Sequence, residues 1–173
     1  DFVPAFGAGA SEVEITLFTD ANNERSHQLS GEISQLFYNF QGLRLELRPI
    51  MTSENSYNIL QAKVDYCVWK SFPDSFLKYY ENTRGQHSVK THEVLFKQIG
   101  SMSLSKEKVL SCVQSDEAQK MIDYHKQYSR FLGIHSGPVV FVSGEILGPQ
   151  ADLAEIESVI NRKLAIPDAG LWE

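Results

Sequence analysis

Cysteine is nearly absent from this chain: Cys67 and Cys112 are the only two in 173 residues. They permit at most one internal disulfide and do not by themselves settle a redox compartment. A long apolar run is also missing; none approaches the roughly 20 residues that a membrane helix needs. Positive charge is not in excess, since 22 acidic against 16 basic residues leave a net charge of -6. That balance argues against a nucleic-acid partner, whose binding surfaces are usually basic. Repeats and low-complexity tracts are lacking. Asp1-Phe2-Val3-Pro4 offers neither a basic nor an apolar leader region, so no signal peptide is read there; a processed chain or an excised domain would begin the same way. Histidine pairs at metal-binding spacing are missing too. His27, His87, His92, His125 and His135 are scattered, and a five-residue step on a helix turns His87 well away from His92. They read as solvated surface groups, and no metal or cofactor is implied.

What is present is an ordinary globular composition, 42% hydrophobic and 22% charged, sized for one domain. Residues 1–11, with Phe6-Gly7-Ala8-Gly9-Ala10-Ser11, read as a flexible N-terminal arm. Residues 13–18 alternate and are β-branched, which predicts a strand. Asp20, Asn22 and Asn23 follow as N-cap candidates, with Glu24 where a helix dipole favours an acid. Leu29, Ile33, Leu36, Phe37 and Phe40 then mark one helical face, which Gly42 ends. Residues 43–48 alternate strictly up to Pro49, a second strand.

From 55 to 132 the pattern is helical throughout, too long for a simple βαβ crossover. Apolar faces there run through Tyr57, Leu60, Val64, Cys67 and Val68, then Phe76 to Tyr80, Val94 to Ile99, Val109 to Val113, and Met121 to Leu132. Strands return at 138–142, and the turn signal Ser143-Gly144 leads into 145–147 as a hairpin. Leu153, Ile156, Val159, Ile160 and Leu164 define a last helix, and 165–173 reads as an irregular C-terminal tail. Phe37, Tyr38, Trp69, Tyr79, Tyr80, Tyr124, Tyr128 and Trp172 exceed a minimal core; most read as packing and a few as lining a groove between subdomains.

The order β-α-β, helical block, β-hairpin, α is the thioredoxin plan with a helical insertion. Five stretches make the chain resemble the DsbA-like disulfide oxidoreductases, particularly their bacterial branch. They are Leu17-Phe18-Thr19-Asp20, Leu45-Glu46-Leu47-Arg48-Pro49, Ala62 to Cys67 with Phe72 to Tyr80, Leu104 to Ser115, and Leu132-Gly133-Ile134-His135-Ser136-Gly137-Pro138-Val139-Val140-Phe141-Val142-Ser143-Gly144. The last is the most specific. The resemblance implies an α/β thioredoxin fold (β-α-β … β-β-α) with an inserted all-helical subdomain. Its thioredoxin-like part would comprise residues 12–54 and 133–164, and the helical subdomain residues 55–132.

The departures from that family bear on function. Its two active-site cysteines fall on Asn23 and Ser26, so the motif here is Asn23-Glu24-Arg25-Ser26. The family reaction needs a low-pKa thiolate at the helix N-terminus and a resolving thiol one turn later. Neither residue supplies one, and no catalytic residue and no dithiol–disulfide activity are expected at this place. Gly137-Pro138 matches the family's cis-proline loop, with glycine where Thr or Val is usual, and by resemblance Gly137, Pro138 and Val139 are the partner-binding residues. Cys67 and Cys112, each on an apolar helix side, read from the residues alone as two buried thiols; the resemblance implies a structural disulfide.

The implied function is therefore a redox-inactive DsbA-like module that binds unfolded or extended polypeptide, or a partner domain, in a periplasmic or secretory-pathway setting. An extended peptide would pair against backbone near Pro138. The non-catalytic thioredoxin-like domains of the glycoprotein-folding glucosyltransferase are a second resemblance of this kind. Two alternatives stand beside it: a kappa-type glutathione transferase or isomerase using Ser26, and a purely structural domain of a larger protein. Ser26 and His27, adjacent on a helix, point about 100° apart and do not face each other as a nucleophile–base pair.

Overall fold

Two parallel strands carry the chain's densest aliphatic alternation, and the rest of the fold is laid around them. In the computed structural model, which describes residues 2–51, 56–84 and 92–165, β2 (Val13–Thr19) lies parallel to β3 (Leu43–Pro49). Val13, Ile15 and Leu17 pair in register with Leu43, Leu45 and Leu47, and all six are buried. Alternation puts these side chains on one face of the sheet. α1 (Glu24–Asn39) joins the two strands and buries Leu29, Ile33 and Leu36 in the same core. β4 (Val139–Val142) runs antiparallel to β2, and β5 (Glu145–Leu147) antiparallel to β4, through the turn at Ser143 and Gly144. α7 (Leu153–Leu164) returns over the sheet with Ile156, Val159 and Ile160 buried.

The N-terminal arm is not a free arm. Ala5–Gly7 forms β1, an antiparallel edge strand on β3, giving the sheet order β1-β3-β2-β4-β5. Carbonyls in and just before the strand are claimed as well: the Leu47 amide donates to Pro4 O at 2.8 Å and the Trp69 indole N–H to Ala5 O at 2.8 Å. Phe6 packs its ring 4.8 Å from Phe37 and 5.9 Å from Phe76, centroid to centroid. Gly7 has φ +103°, and a methyl there would lie 2.2 Å from Leu43 O, so no other residue fits. The glycines that read as flexibility are in part a requirement of close packing.

Between β3 and β4 come five helices: α2 (Ser56–Ser71), α3 (Pro73–Arg84), α4 (His92–Ser101), α5 (Lys106–Val113) and α6 (Asp116–Phe131). α2 is central, contacting α3, α4, α5 and α6. It therefore buries polar Asn58 and Gln61 along with Ala62, Val64, Tyr66, Cys67 and Val68, whereas Leu60, read as a core position, is only partly buried. Most of the buried polar groups pair with one another, although Arg84 Nη1 finds no hydrogen-bond partner among the described residues. Asp65 takes the Arg84 guanidinium, and its Oδ1 accepts from Tyr79 OH at 2.8 Å and Gln61 Nε2 at 2.9 Å; Tyr57 OH donates to Gln61 Oε1 at 2.9 Å. Burial would lower the Arg84 pKa, but Asp65 together with Tyr80 and Tyr79 outweighs it and the net shift is upward. Cys67 of α2 and Cys112 of α5 are joined by a disulfide across 45 residues. In the loop-entropy model such a closure contributes about 4 kcal/mol. The tail from 166 onward, with Trp172, and His87 lie outside the described residues.

One histidine departs from the surface reading. His125 of α6 is 1% exposed, with Nε2 3.0 Å from Phe2 O. A carbonyl can only accept, so Nε2 carries the hydrogen and the ring ties the N-terminal segment to α6. Burial lowers its pKa to about 4; the Phe2 hydrogen bond opposes this and the Arg48 charge adds to it. The unfolded chain takes up a proton at this position near pH 6.5, and the folded one only near 4. Stability from neutral His125 is therefore complete above about pH 6.5 and is lost as pH falls toward 4, by about 3 kcal/mol in all. Urea unfolding across this range is expected to show that acid limb, flattened in His125→Gln; an unchanged slope in the variant would contradict the assignment.

Candidate functional site

The end of β2 and the start of α1 are fixed by side-chain-to-backbone hydrogen bonds. Asp20 Oδ1 accepts from the Asn22 amide at 2.9 Å, the turn that Asx residues favour, and from Asn58 Nδ2 of α2 at 2.9 Å. Asn23 is the N-cap of α1: its Oδ1 accepts from the Ser26 amide at 3.1 Å, satisfying one of the helix's free donors. Glu24 sits in the first turn, where the helix dipole favours an anion. Arg25 turns along the helix to Glu32 at 3.3 Å and donates to Ala151 O at 2.7 Å, anchoring the segment before α7.

Ser26 points inward and is 1% exposed. Its Oγ accepts from the Asp20 amide at 3.2 Å, and its carbonyl accepts from Ser30 Oγ at 2.6 Å. His27 does not turn to it; its Nε2 lies 2.7 Å from Ala21 O. A serine that activates a bound thiol must be reachable from solvent, and this one is closed in by its own loop. The Ser26 enzyme reading therefore gains no support from the position of this hydroxyl.

The second component is the loop between α6 and β4. Ile134 donates to Ser129 O at 2.9 Å and is buried, His135 and Ser136 are exposed, and the Gly137–Pro138 peptide bond is cis. Gly137 and Pro138 are buried and Val139, which pairs with Phe18, is half-buried. A methyl group built on Gly137 would stand 2.6 Å from Ile50 Cδ1, 3.2 Å from Phe18 O and 3.4 Å from Ser26 Oγ. The two segments singled out in the sequence, 23–26 and 137–139, thus meet at one end of the sheet, with Ser26 and Gly137 across from each other. A side chain at 137 would make the end of the Ile50 side chain move.

Behind this meeting point, Phe18, Ile50 and Ile134 form a small cluster separate from the main core, with Tyr128, Val139 and Phe141 packed against it. Tyr128 stacks on Phe18 at 6.2 Å and on Tyr124 at 5.8 Å, and the Arg48 guanidinium lies 4.5 Å above Tyr128. Arg48 is itself held by Glu46 at 2.9 Å and Tyr124 OH at 3.3 Å. Sequence patterning missed this support because it is assembled from β2, β3, the residue after β3, α6, the loop after it and β4.

Exposure was misjudged as well. Tyr79 and Tyr80 are wholly buried and Trp69 is half-buried, while the large apolar residues exposed among the described residues are Tyr38 (67%) on α1, Ile146 (63%) on β5, Tyr124 (36%) and Phe131 (85%) on α6, and Leu132 (41%) at its C-cap; only Phe131 and Leu132 stand directly before the loop. Phe131 read as a core position of its helix. Among the described residues no group of three or more His, Cys, Asp or Glu is placed to hold a metal ion.

No protein-family model and no curated protein matches the sequence. Solved structures do. The catalytic domain of Proteus mirabilis ScsC superposes with a TM-score of 0.82 at 19% identity, covering 95% of this chain and 90% of that one. A periplasmic thioredoxin-like protein from Salmonella enterica serovar Typhimurium gives 0.81 at 17% identity, covering 95% and 91%. Oxidised BdbD from Bacillus subtilis gives 0.79 at 18%, covering 94% and 93%. At such identities the likeness establishes the fold, a thioredoxin fold carrying a helical insertion.

The contact at Gly137 has a measurable consequence. Gly137→Ala is expected to lower stability by about 1–3 kcal/mol, since the new methyl must displace Ile50 from a packed cluster. Adding Ile50→Val, which removes Cδ1, should restore most of it in urea unfolding. An alanine variant as stable as the parent would show that the two segments do not meet this closely.

Proposed function

We propose that this domain is a redox-inactive, DsbA-like module of the thioredoxin fold that binds an extended or unfolded polypeptide. The reading rests on one observation: exposed Phe131 and Leu132 of α6 run straight into the exposed His135-Ser136 loop beside the α1 N-terminus. Exposed apolar groups gathered at a site mark interaction surfaces. Asn23 and Ser26 hold this end of the sheet with hydrogen bonds and carry no sulfur, so the module binds without exchanging disulfides there. β4 is already paired on both edges, by β2 and β5. An incoming strand therefore aligns on the loop backbone at 135–136, ahead of buried Gly137 and Pro138, which shifts the docking point upstream of the proline itself.

An extracytoplasmic setting accords with the Cys67–Cys112 disulfide, which oxidising compartments favour, and with the periplasmic description of one structural neighbour. The glutathione-dependent alternative draws no support from buried Ser26.

Binding of a reduced, unfolded client, read by suppressed aggregation and by a titrated Kd, tests the proposal. Phe131→Ser with Leu132→Ser is expected to weaken binding roughly tenfold or more, because two apolar anchors are lost. Stability should move by no more than about 0.5 kcal/mol, since Phe131 is exposed. A parent domain that binds no client, or a double variant that binds equally well, contradicts it.

A further inference from the structure

The Cys67–Cys112 disulfide has two unlike halves. Cys67 is fully buried on α2, whereas Cys112, in the last turn of α5, is half-buried and lines an open cleft of about 640 Å3. The cleft is walled by the end of α2, by α5 and by the start of α6. Lys70 and Lys108 stand at it, Lys70 paired with Glu117 and Lys108 Nζ 3.4 Å from Ser71 O. Ser115, the N-cap of α6, also lines it, so one helix N-terminus opens beside Cys112, and Glu107 and Glu117 line it with the two lysines. Lysines and helix N-termini favour thiolates and the carboxylates of small anionic thiols.

We propose that Cys112 is a thiol-exchange site for low-molecular-weight monothiols of the glutathione type, distinct from the α1 N-terminus. The monothiolate attacks Cys112 Sγ, an S–S bond forms between them, the Cys67–Cys112 bond breaks, and the Cys67 thiolate leaves and is protonated. A second monothiolate attacks the sulfur of the bound monothiol, releases the small disulfide, and leaves Cys112 as a thiolate. In sum two monothiols are oxidised and the protein disulfide is reduced; with excess oxidised monothiol the sequence runs backward. Burial dictates the direction of attack. A nucleophile reaches Cys112 from the cleft but meets packed core at Cys67, while the apolar surroundings of Cys67, which slow its departure as a thiolate, favour its return onto the mixed disulfide. Cys67 therefore acts as the resolving sulfur that expels the adduct and restores the disulfide.

Two single variants isolate the halves. Cys67→Ala and Cys112→Ala, each checked for folding by circular dichroism, are mixed with oxidised glutathione, and adduct formation is followed by intact mass. Cys112 in the first variant is expected to react roughly tenfold or more faster than Cys67 in the second, with the difference abolished in denaturing urea. Because both variants lack the disulfide, the parent protein supplies an independent reading. Treated with reduced glutathione, quenched in acid and mapped by peptide mass, it should carry its adduct on Cys112. Equal rates in the folded variants, an adduct mapped to Cys67, or a parent with no adduct before global unfolding would each overturn the proposal.

Discussion

Gly137 approaches Ile50 and Ser26 so closely that a single added methyl would collide with the isoleucine. The arrangement of the site follows from that approach. It favours glycine before the proline and a compact residue at 26, and it depends on Ile50 being held at the end of β3. The Ile50 amide, donating to Thr19 O at 2.7 Å, meets the last requirement by closing the β2–β3 pair one residue beyond the strand. Phe18, Ile134 and the Tyr128 ring then fill the space behind it. Ser26 meets the second with a hydroxyl that also caps the Asp20 amide. The joint is thus made of ordinary hydrogen bonds from Asn23 and Ser26.

The helical insertion is coupled to this end of the sheet through α2. Asn58, in its first turn, reaches Asp20 in the loop before α1. One turn further on, Gln61 and Asp65 organise Tyr57, Tyr79 and Arg84 into a buried polar set. Removing one partner from such a set leaves an uncompensated buried charge, which costs far more than the set contributes over an apolar replacement. Its effect is to give α2 and α3 one arrangement. The disulfide fixes α2 to α5 on another side, and His125 with Trp69 and Leu47 fastens the N-terminal strand. The end of α6 and the loop after it remain accessible.

How much of this could be read from residues alone depended on how local the cause was. β2 and β3 were legible because Val13, Ile15, Leu17, Leu43, Leu45 and Leu47 repeat at period two, and the start of α1 because Asn23 is a good cap. The positions facing the site followed from resemblance rather than spacing, since an isolated Gly-Pro says little about its peptide bond. β1 was invisible: three residues have no period, and Phe6 is ordered by Phe37 and Phe76, which lie far along the chain. His125 and Phe131 were misread for a related reason. Both lie on an amphipathic helix, but which edge of its apolar face is covered depends on where Phe2 and the loop after α6 come to rest. The contact of Ile50 with Gly137 joins residues that no local pattern connects.

The central claim is that residues 20–26 form a thioredoxin-type active-site scaffold whose reactive sulfurs have been replaced. The double substitution Asn23→Cys with Ser26→Cys tests it most directly, with Cys67 and Cys112 left in place. An N-cap residue and the residue one helical turn later have the separation a disulfide requires. The account predicts a second disulfide mapped by peptide mass to positions 23 and 26, reducible in the folded protein and able to exchange with a dithiol. A folded double variant in which those two cysteines stay unpaired under oxidising conditions, or pair only with other cysteines, would contradict it.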